Sequence, residues 1–172
     1  VSPPPLFANP APADLPTRPT LMVVVDTEEE FDWEAPVSRQ ATSVTAMRHI
    51  ERTQTLCGAV GLVPTYVIDY PVATQPAGYE TIRSWAQEGR CDIGAHLHPW
   101  VNPPFDEPLN SRNTYLCNLP ASLERAKMRQ LHQAIVQNVG VVPRVFKPGR
   151  YGIGRDGLAV FDELGLVVDA SV

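Results

Sequence analysis

Cysteine is scarce in this 172-residue chain: Cys57, Cys91 and Cys117 are the three, and no two of them form a CxxC pair. An odd count without close pairs argues against both a disulfide framework and a cysteine-built zinc site. Reduced thiols suit a cytoplasmic protein, and Cys91, beside an apolar run, is expected to be a small core residue. Long apolar runs are also missing, since none approaches the roughly 18 residues that a membrane helix needs. Positive charge is in deficit, with 14 Lys and Arg against 19 Asp and Glu and a net charge of -5. That balance excludes an electrostatic nucleic-acid binder and a basic membrane-surface protein. No signal peptide is visible, although the chain opens on Val1 and so leaves room for a removed leader.

Proline is the opposite case, at 18 residues of 172, against a usual share of ~5%. Pro3, Pro4, Pro5, Pro10, Pro12, Pro16 and Pro19 crowd the start. Residues 1–20 are therefore expected to form an extended, solvated arm, and 21–172 a single α/β domain. Across the whole chain hydrophobic residues are 44% and charged residues 19%, which disfavours disorder and coiled coil.

Beyond the arm the pattern alternates. Apolar, β-branched runs at 21–25, 64–68, 91–95, 144–146 and 166–168 read as strands. Between them lie amphipathic stretches: one opened by Thr42 or Ser43 as N-cap and stopped by Gly58, one over 79–88 burying Ile82 and Trp85, one over 122–139, and one over 156–164. Residues 96–120 read as a long irregular loop. Strands alternating with helices specify a parallel sheet with right-handed crossovers, open or barrel-like. Either way the chemistry collects where the strands end and the helices begin.

The residues at those ends are polar in a particular way. The first strand runs into Asp26-Thr27-Glu28-Glu29-Glu30, the second into Asp69, and the third into His96-Leu97-His98-Pro99-Trp100. The fourth runs into Lys147-Pro148-Gly149-Arg150-Tyr151, and the fifth into Asp169. His-x-His in extended backbone puts both imidazoles on one face, because side chains alternate with period two. Two histidines and a carboxylate from a neighbouring strand end can share one metal ion and leave positions open for water. Taken singly, a His-x-His pair is more often a surface or capping pair, and an acidic run a solvated turn. Their coincidence at the strand ends of one α/β pattern favours a metal. His49 and His132 fall inside expected helices and read as helix-surface residues.

The combination resembles the NodB-homology polysaccharide deacetylases, carbohydrate esterase family four. VVVDTEEEFDW resembles the first family motif, which supplies a general base and a metal-binding acid; DIGAHLHPW resembles the second, with its metal-binding histidines; and FKPGRYGIG resembles the third, which lines the groove. The resemblance implies a distorted (β/α) barrel and a metal-dependent hydrolase that removes N- or O-acetyl groups from a carbohydrate. Carried over, it makes Glu28, His96 and His98 the metal ligands, zinc the expected metal, and Asp26 the general base. Arg150 or Lys147 would pair with Asp26 and orient it, and the Tyr151 backbone N–H would donate to the oxyanion. Trp100 and Tyr151 offer faces for a sugar ring, with a core or lid position equally open to Trp100, and Asp69 and Asp169 stay in reserve.

The chain departs from the family in three places. Its histidines are two apart rather than four, Thr27 separates the acids, and Lys147 stands where arginine is usual. These departures suggest an outlying subgroup. The family's C-terminal histidine, which protonates the leaving amine, has no counterpart, since no histidine follows His132. Five strand–helix units are also fewer than a closed barrel uses. The expectation is thus a C-terminally incomplete barrel, with two alternatives to the deacetylase: a non-catalytic carbohydrate- or metal-binding relative, or a hydrolase of non-sugar C–N bonds.

Overall fold

The computed structural model describes residues 19–171, so the expected arm, apart from its last two residues, lies outside the described residues. Five strands form one sheet in the order β1 (Val24–Thr27), β2 (Thr65–Ile68), β3 (Asp92–Leu97), β4 (Val145–Pro148) and β5 (Val168–Asp169). Every neighbouring pair is parallel. Each strand therefore lies beside the next in sequence, as in a barrel, and the sheet does not close: β1 and β5 are its two edges. This is an incompletely closed, distorted (β/α) barrel.

Burial explains the sheet's centre and its edges. Tyr66, Val67 and Ile68 of β2 are fully buried, as a run apolar on both faces requires in a covered parallel sheet. The outer strands are not covered in this way. Leu21 and Met22 are 69% and 81% exposed, and the first strand begins at Val24 rather than at Leu21. Gly94 in β3 is needed for close packing, because a Cβ there would lie 2.7 Å from Val67 Cγ1 and 2.8 Å from the Val145 carbonyl oxygen.

The helices are α1 (Glu51–Ala59), α2 (Tyr70–Thr74), α3 (Pro76–Gln87), α4 (Ala121–Asn138), α5 (Arg155–Leu158) and α6 (Phe161–Leu164). Their starts differ from the sequence expectation in instructive ways. A 3-10 turn over Thr45–His49 precedes α1, and Ser43 does not cap it. The Ser43 hydroxyl instead donates to Glu30 Oε2 at 2.6 Å, and Glu30 Oε1 accepts from the Ala46 N–H and the Thr45 hydroxyl. The helix beginning at 70 was not expected; Asp69 makes it, accepting the Val72 N–H at 2.8 Å as N-cap with Pro71 in the first turn. The helix expected over 156–164 divides at Ala159–Val160. Among the described residues no helix is long and apolar enough to cross a membrane.

The loop after β3 is held down from below by a buried cation. Lys127 on α4 is fully buried and donates to the carbonyls of Pro99 (2.9 Å), Asn102 (2.6 Å) and Pro104 (2.7 Å), with Glu107 Oε1 at 3.1 Å. Burial pushes its ammonium below the ordinary lysine range, and the Glu107 carboxylate acts against that shift. One side chain thus satisfies three carbonyls that the irregular loop turns inward. We expect Lys127→Met to lower the unfolding free energy by about 3 kcal/mol, because Glu107 and those carbonyls lose their partner. Urea denaturation would measure the change; a loss within experimental error would show that water or a rearranged loop replaces the ammonium.

Candidate metal centre

The sheet's register brings the strand-end residues together. His96 lies in β3 opposite Lys147 of β4, and Thr27, the last residue of β1, lies opposite Ile68 of β2. Glu28 follows directly on β1, and His98 is one residue beyond β3. Glu28 Oε2 is 3.0 Å from His96 Nε2 and 3.3 Å from His98 Nε2, and the two Nε2 atoms are 3.1 Å apart. Both histidines are buried and Glu28 is part-exposed, so the cluster opens to solvent on the carboxylate side. The three residues expected as ligands from the sequence therefore do converge.

The protonation of His98 suits a cation. Burial, and next the neighbouring His96, hold His98 down at about 4, so its ring is neutral at neutral pH. Its Nδ1–H is then donated to Glu29, 2.9 Å to Oε2 and 3.1 Å to Oε1, which leaves a bare lone pair on Nε2. His96 Nδ1 is buried with no hydrogen-bond partner, so nothing on that side of the ring fixes its tautomer. Two imidazole nitrogens and a carboxylate oxygen at mutual distances of 3.0–3.3 Å form a donor set that a divalent cation fits.

Glu29 is the residue that sequence reasoning passed over. It is 2% exposed, and besides His98 it accepts the Trp100 indole N–H at 2.8 Å. Its backbone N–H is in turn held by Asp69 Oδ2 at 2.8 Å. Burial pushes Glu29 up to about 7 and Asp69 well above the usual carboxylate range, each acting on the other. Glu29, Asp69 and His98 themselves form a second cluster of metal-capable atoms, but their hydrogen bonds already engage the carboxylate oxygens and His98 Nδ1. They serve the histidine, as the outer partner of a metal-binding imidazole does. Trp100 stacks on His98 with ring centroids 4.2 Å apart, at 1% exposure. It therefore has no face free for a sugar and belongs to the core. Gly149 makes the remaining room, since a Cβ on it would collide with His98 Cδ2 and lie 2.8 Å from the Leu97 carbonyl oxygen.

Asp26 is partnered by Lys147, whose ammonium donates to Oδ1 at 2.8 Å and Oδ2 at 2.6 Å. Of the two cations open for that role, the structure joins the lysine to Asp26. Arg150 points elsewhere: its NH1 donates to Thr114 Oγ1 at 2.7 Å, and its guanidinium lies over the rings of Trp33 and Tyr115. Tyr151 follows on the turn after β4, 64% exposed, with its ring beside the Lys147 ammonium. Asp169, at the end of β5, accepts the Ser171 N–H. Cys57 and Cys91 are buried and Cys117 is exposed, all three as free thiols.

Comparison with solved structures places this fold among the polysaccharide-deacetylase barrels, as the resemblance implied. The chain matches a CE4 family pseudoenzyme from Bacillus anthracis with a TM-score of 0.53 at 10% identity, covering 88% of this chain and 44% of that one. It matches a family 4 carbohydrate esterase from Streptomyces lividans at 0.51 and 14%, covering 86% and 60%. It matches IcaB from Ammonifex degensii at 0.53 and 12%, covering 86% and 82%. The chain thus spans less than two thirds of the first two structures, and at these identities the likeness is one of fold. No family model and no curated protein matches the sequence.

If Glu29 orients His98, Glu29→Ala should weaken the binding of a divalent metal by about 10–100-fold, while His96→Ala should abolish it. Isothermal titration with Zn2+ reads both. Wild-type affinity in Glu29→Ala would show that the stacked indole alone positions the imidazole.

Proposed function

We propose that this chain is a metal-dependent hydrolase that removes N- or O-acetyl groups from a polysaccharide or glycan precursor. The observation that carries the reading is the convergence of Glu28, His96 and His98 at the same strand ends as the Asp26–Lys147 pair. Glu28, His96 and His98 would hold the cation, and two imidazole nitrogens favour zinc. When bound there, a divalent cation polarises an acyl carbonyl and makes water more acidic.

The remaining work belongs to the chain's own groups. Asp26 takes the proton from the attacking water on a carboxylate oxygen. Lys147, bonded to both of those oxygens, sets the direction in which the carboxylate faces before substrate arrives. The Tyr151 backbone N–H donates to the carbonyl oxygen as it gains charge. Trp100 and Phe31, packed on His98, keep water from the buried side of the histidine.

A reading of another class, a carbohydrate- or metal-binding relative without turnover, is favoured by one observation: among the solved structures of like fold is one described as a CE4 family pseudoenzyme. Metal analysis combined with acetate release from acetylated sugar oligomers separates the two. Bound metal without acetate supports the binding relative, and acetate release supports the hydrolase. In the hydrolase, Asp26→Ala should slow turnover about a hundredfold or more and leave metal content unchanged. If the metal is lost instead, Asp26 is a ligand and its role has been exchanged with that of Glu28.

A further inference from the structure

Beside the metal centre, on the far side of Phe31, lies a cleft of about 360 Å³, a volume within the range of small-molecule sites. Its walls come from two connections: residues 31–37 after β1, with Trp33, and residues 109–114 of the loop after β3, with Thr114. Arg150 lines it from the turn after β4 and is the only cation in the lining; Asp32 is the only anion, and its Oδ1 accepts the Glu34 N–H.

Arg150 is held in this cleft at a cost. Its backbone has φ 56° and ψ 23°, and Tyr151 after it also has φ 56°. Two successive non-glycine residues in the left-handed region are strained, and such strain persists where the surroundings enforce it, often at functional sites. The guanidinium carbon lies 5.3 Å from the Trp33 ring centroid and 4.8 Å from that of Tyr115. Two aromatic rings hold it from the sides, and the NH1–Thr114 bond fixes its rotation. Among the described residues no carboxylate pairs with it. A guanidinium carries five N–H donors in a planar fork, and here one of them is spent on the protein. The opposite arrangement holds at Lys147, 2.6 Å from Asp26.

We propose that this cleft is a binding subsite for an anionic sugar residue, one carrying a carboxylate or a phosphate, with Arg150 as the group that grips the oxyanion. The fork matches such an anion bidentately, as an ammonium does not. Trp33, 63% exposed at the cleft, presents an aromatic face for the C–H side of the sugar ring. Phe31 sets the distance to the metal centre: it meets Trp33 edge-on at 4.5 Å and His98 edge-on at 5.3 Å. A glycan with its acyl group at His98 therefore places a neighbouring sugar against Arg150. In that placement the proposal rests on the glycan reading of the centre.

Binding to the 172-residue protein tests it without any requirement for turnover. Three oligosaccharides of equal length serve as probes: a neutral N-acetylglucosamine tetramer, a glucuronate–N-acetylglucosamine tetramer, and the neutral tetramer bearing 6-phosphates. Calorimetry and Trp33 fluorescence read the affinities. One anionic probe should bind at least about tenfold more tightly than the neutral one, the difference expected of a charge-assisted hydrogen-bonded contact. Which of the two gains identifies the source of the anion. Arg150→Met should erase the preference and Arg150→Lys restore only part of it. Trp33→Ala should weaken all three probes, and it carries the test if Arg150→Met does not fold. Equal affinities for neutral and anionic probes, or a preference that survives Arg150→Met, overturns the proposal. Selective anionic binding without acetate release leaves the subsite standing and removes the hydrolase reading instead.

Discussion

The centre depends on one buried contact, the Glu29 carboxylate between an imidazole and an indole. His98 gives it Nδ1–H, Trp100 gives it the indole N–H, and Asp69 clamps its backbone. Remove that carboxylate and His98 loses its reason to present Nε2 toward Glu28 and His96. A bare buried carboxylate is expensive, and its two donors, the His98 imidazole and the Trp100 indole, offset part of that cost. The same contact explains why Trp100 is 1% exposed: its ring covers His98, and its nitrogen serves the Glu29 carboxylate.

Three consecutive glutamates show how neighbours in sequence can do unrelated work. Glu28 turns its carboxylate to the histidines, Glu29 lies beneath them, and Glu30 faces away to bind Ser43, Thr45 and the Ala46 N–H. Their environments set their charge in opposite directions. Burial raises Glu29, while hydrogen bonds from Ser43, Thr45 and Ala46 hold Glu30 below the usual range. An acidic run is therefore not one electrostatic feature here.

Much of this was legible before the structure. The β2 run, the α4 amphipathic pattern and the His-x-His spacing each follow from a period that the backbone imposes, and each appears where the period put it. Where periodicity was silent, sequence reasoning drifted. An apolar run does not say which of its residues pair, so β1 starts at Val24 while Leu21 and Met22 stay exposed. The five residues of α2 are too few to show a period; a capping aspartate and a proline make it. Glu29 carried no signal at all, because nothing in a run of like charges marks the one to be buried. Lys147 and Arg150 were interchangeable by charge, and only the turn at Gly149 separates them in space.

The strictly sequential order of the strands has a temporal side. Glu28 leaves β1 and His96 sits in β3, with β2 between them. Once a growing chain has laid down its first three strands, both sides of the candidate metal trio have been delivered. Lys147 arrives only with β4, and Arg150 on the turn after it. Synthesis from the N-terminus thus delivers the Glu28, His96 and His98 cluster before the lysine that pairs with Asp26 and the arginine that lines the neighbouring cleft. A chain halted after β3 would already hold a potential metal trap with no partner for Asp26.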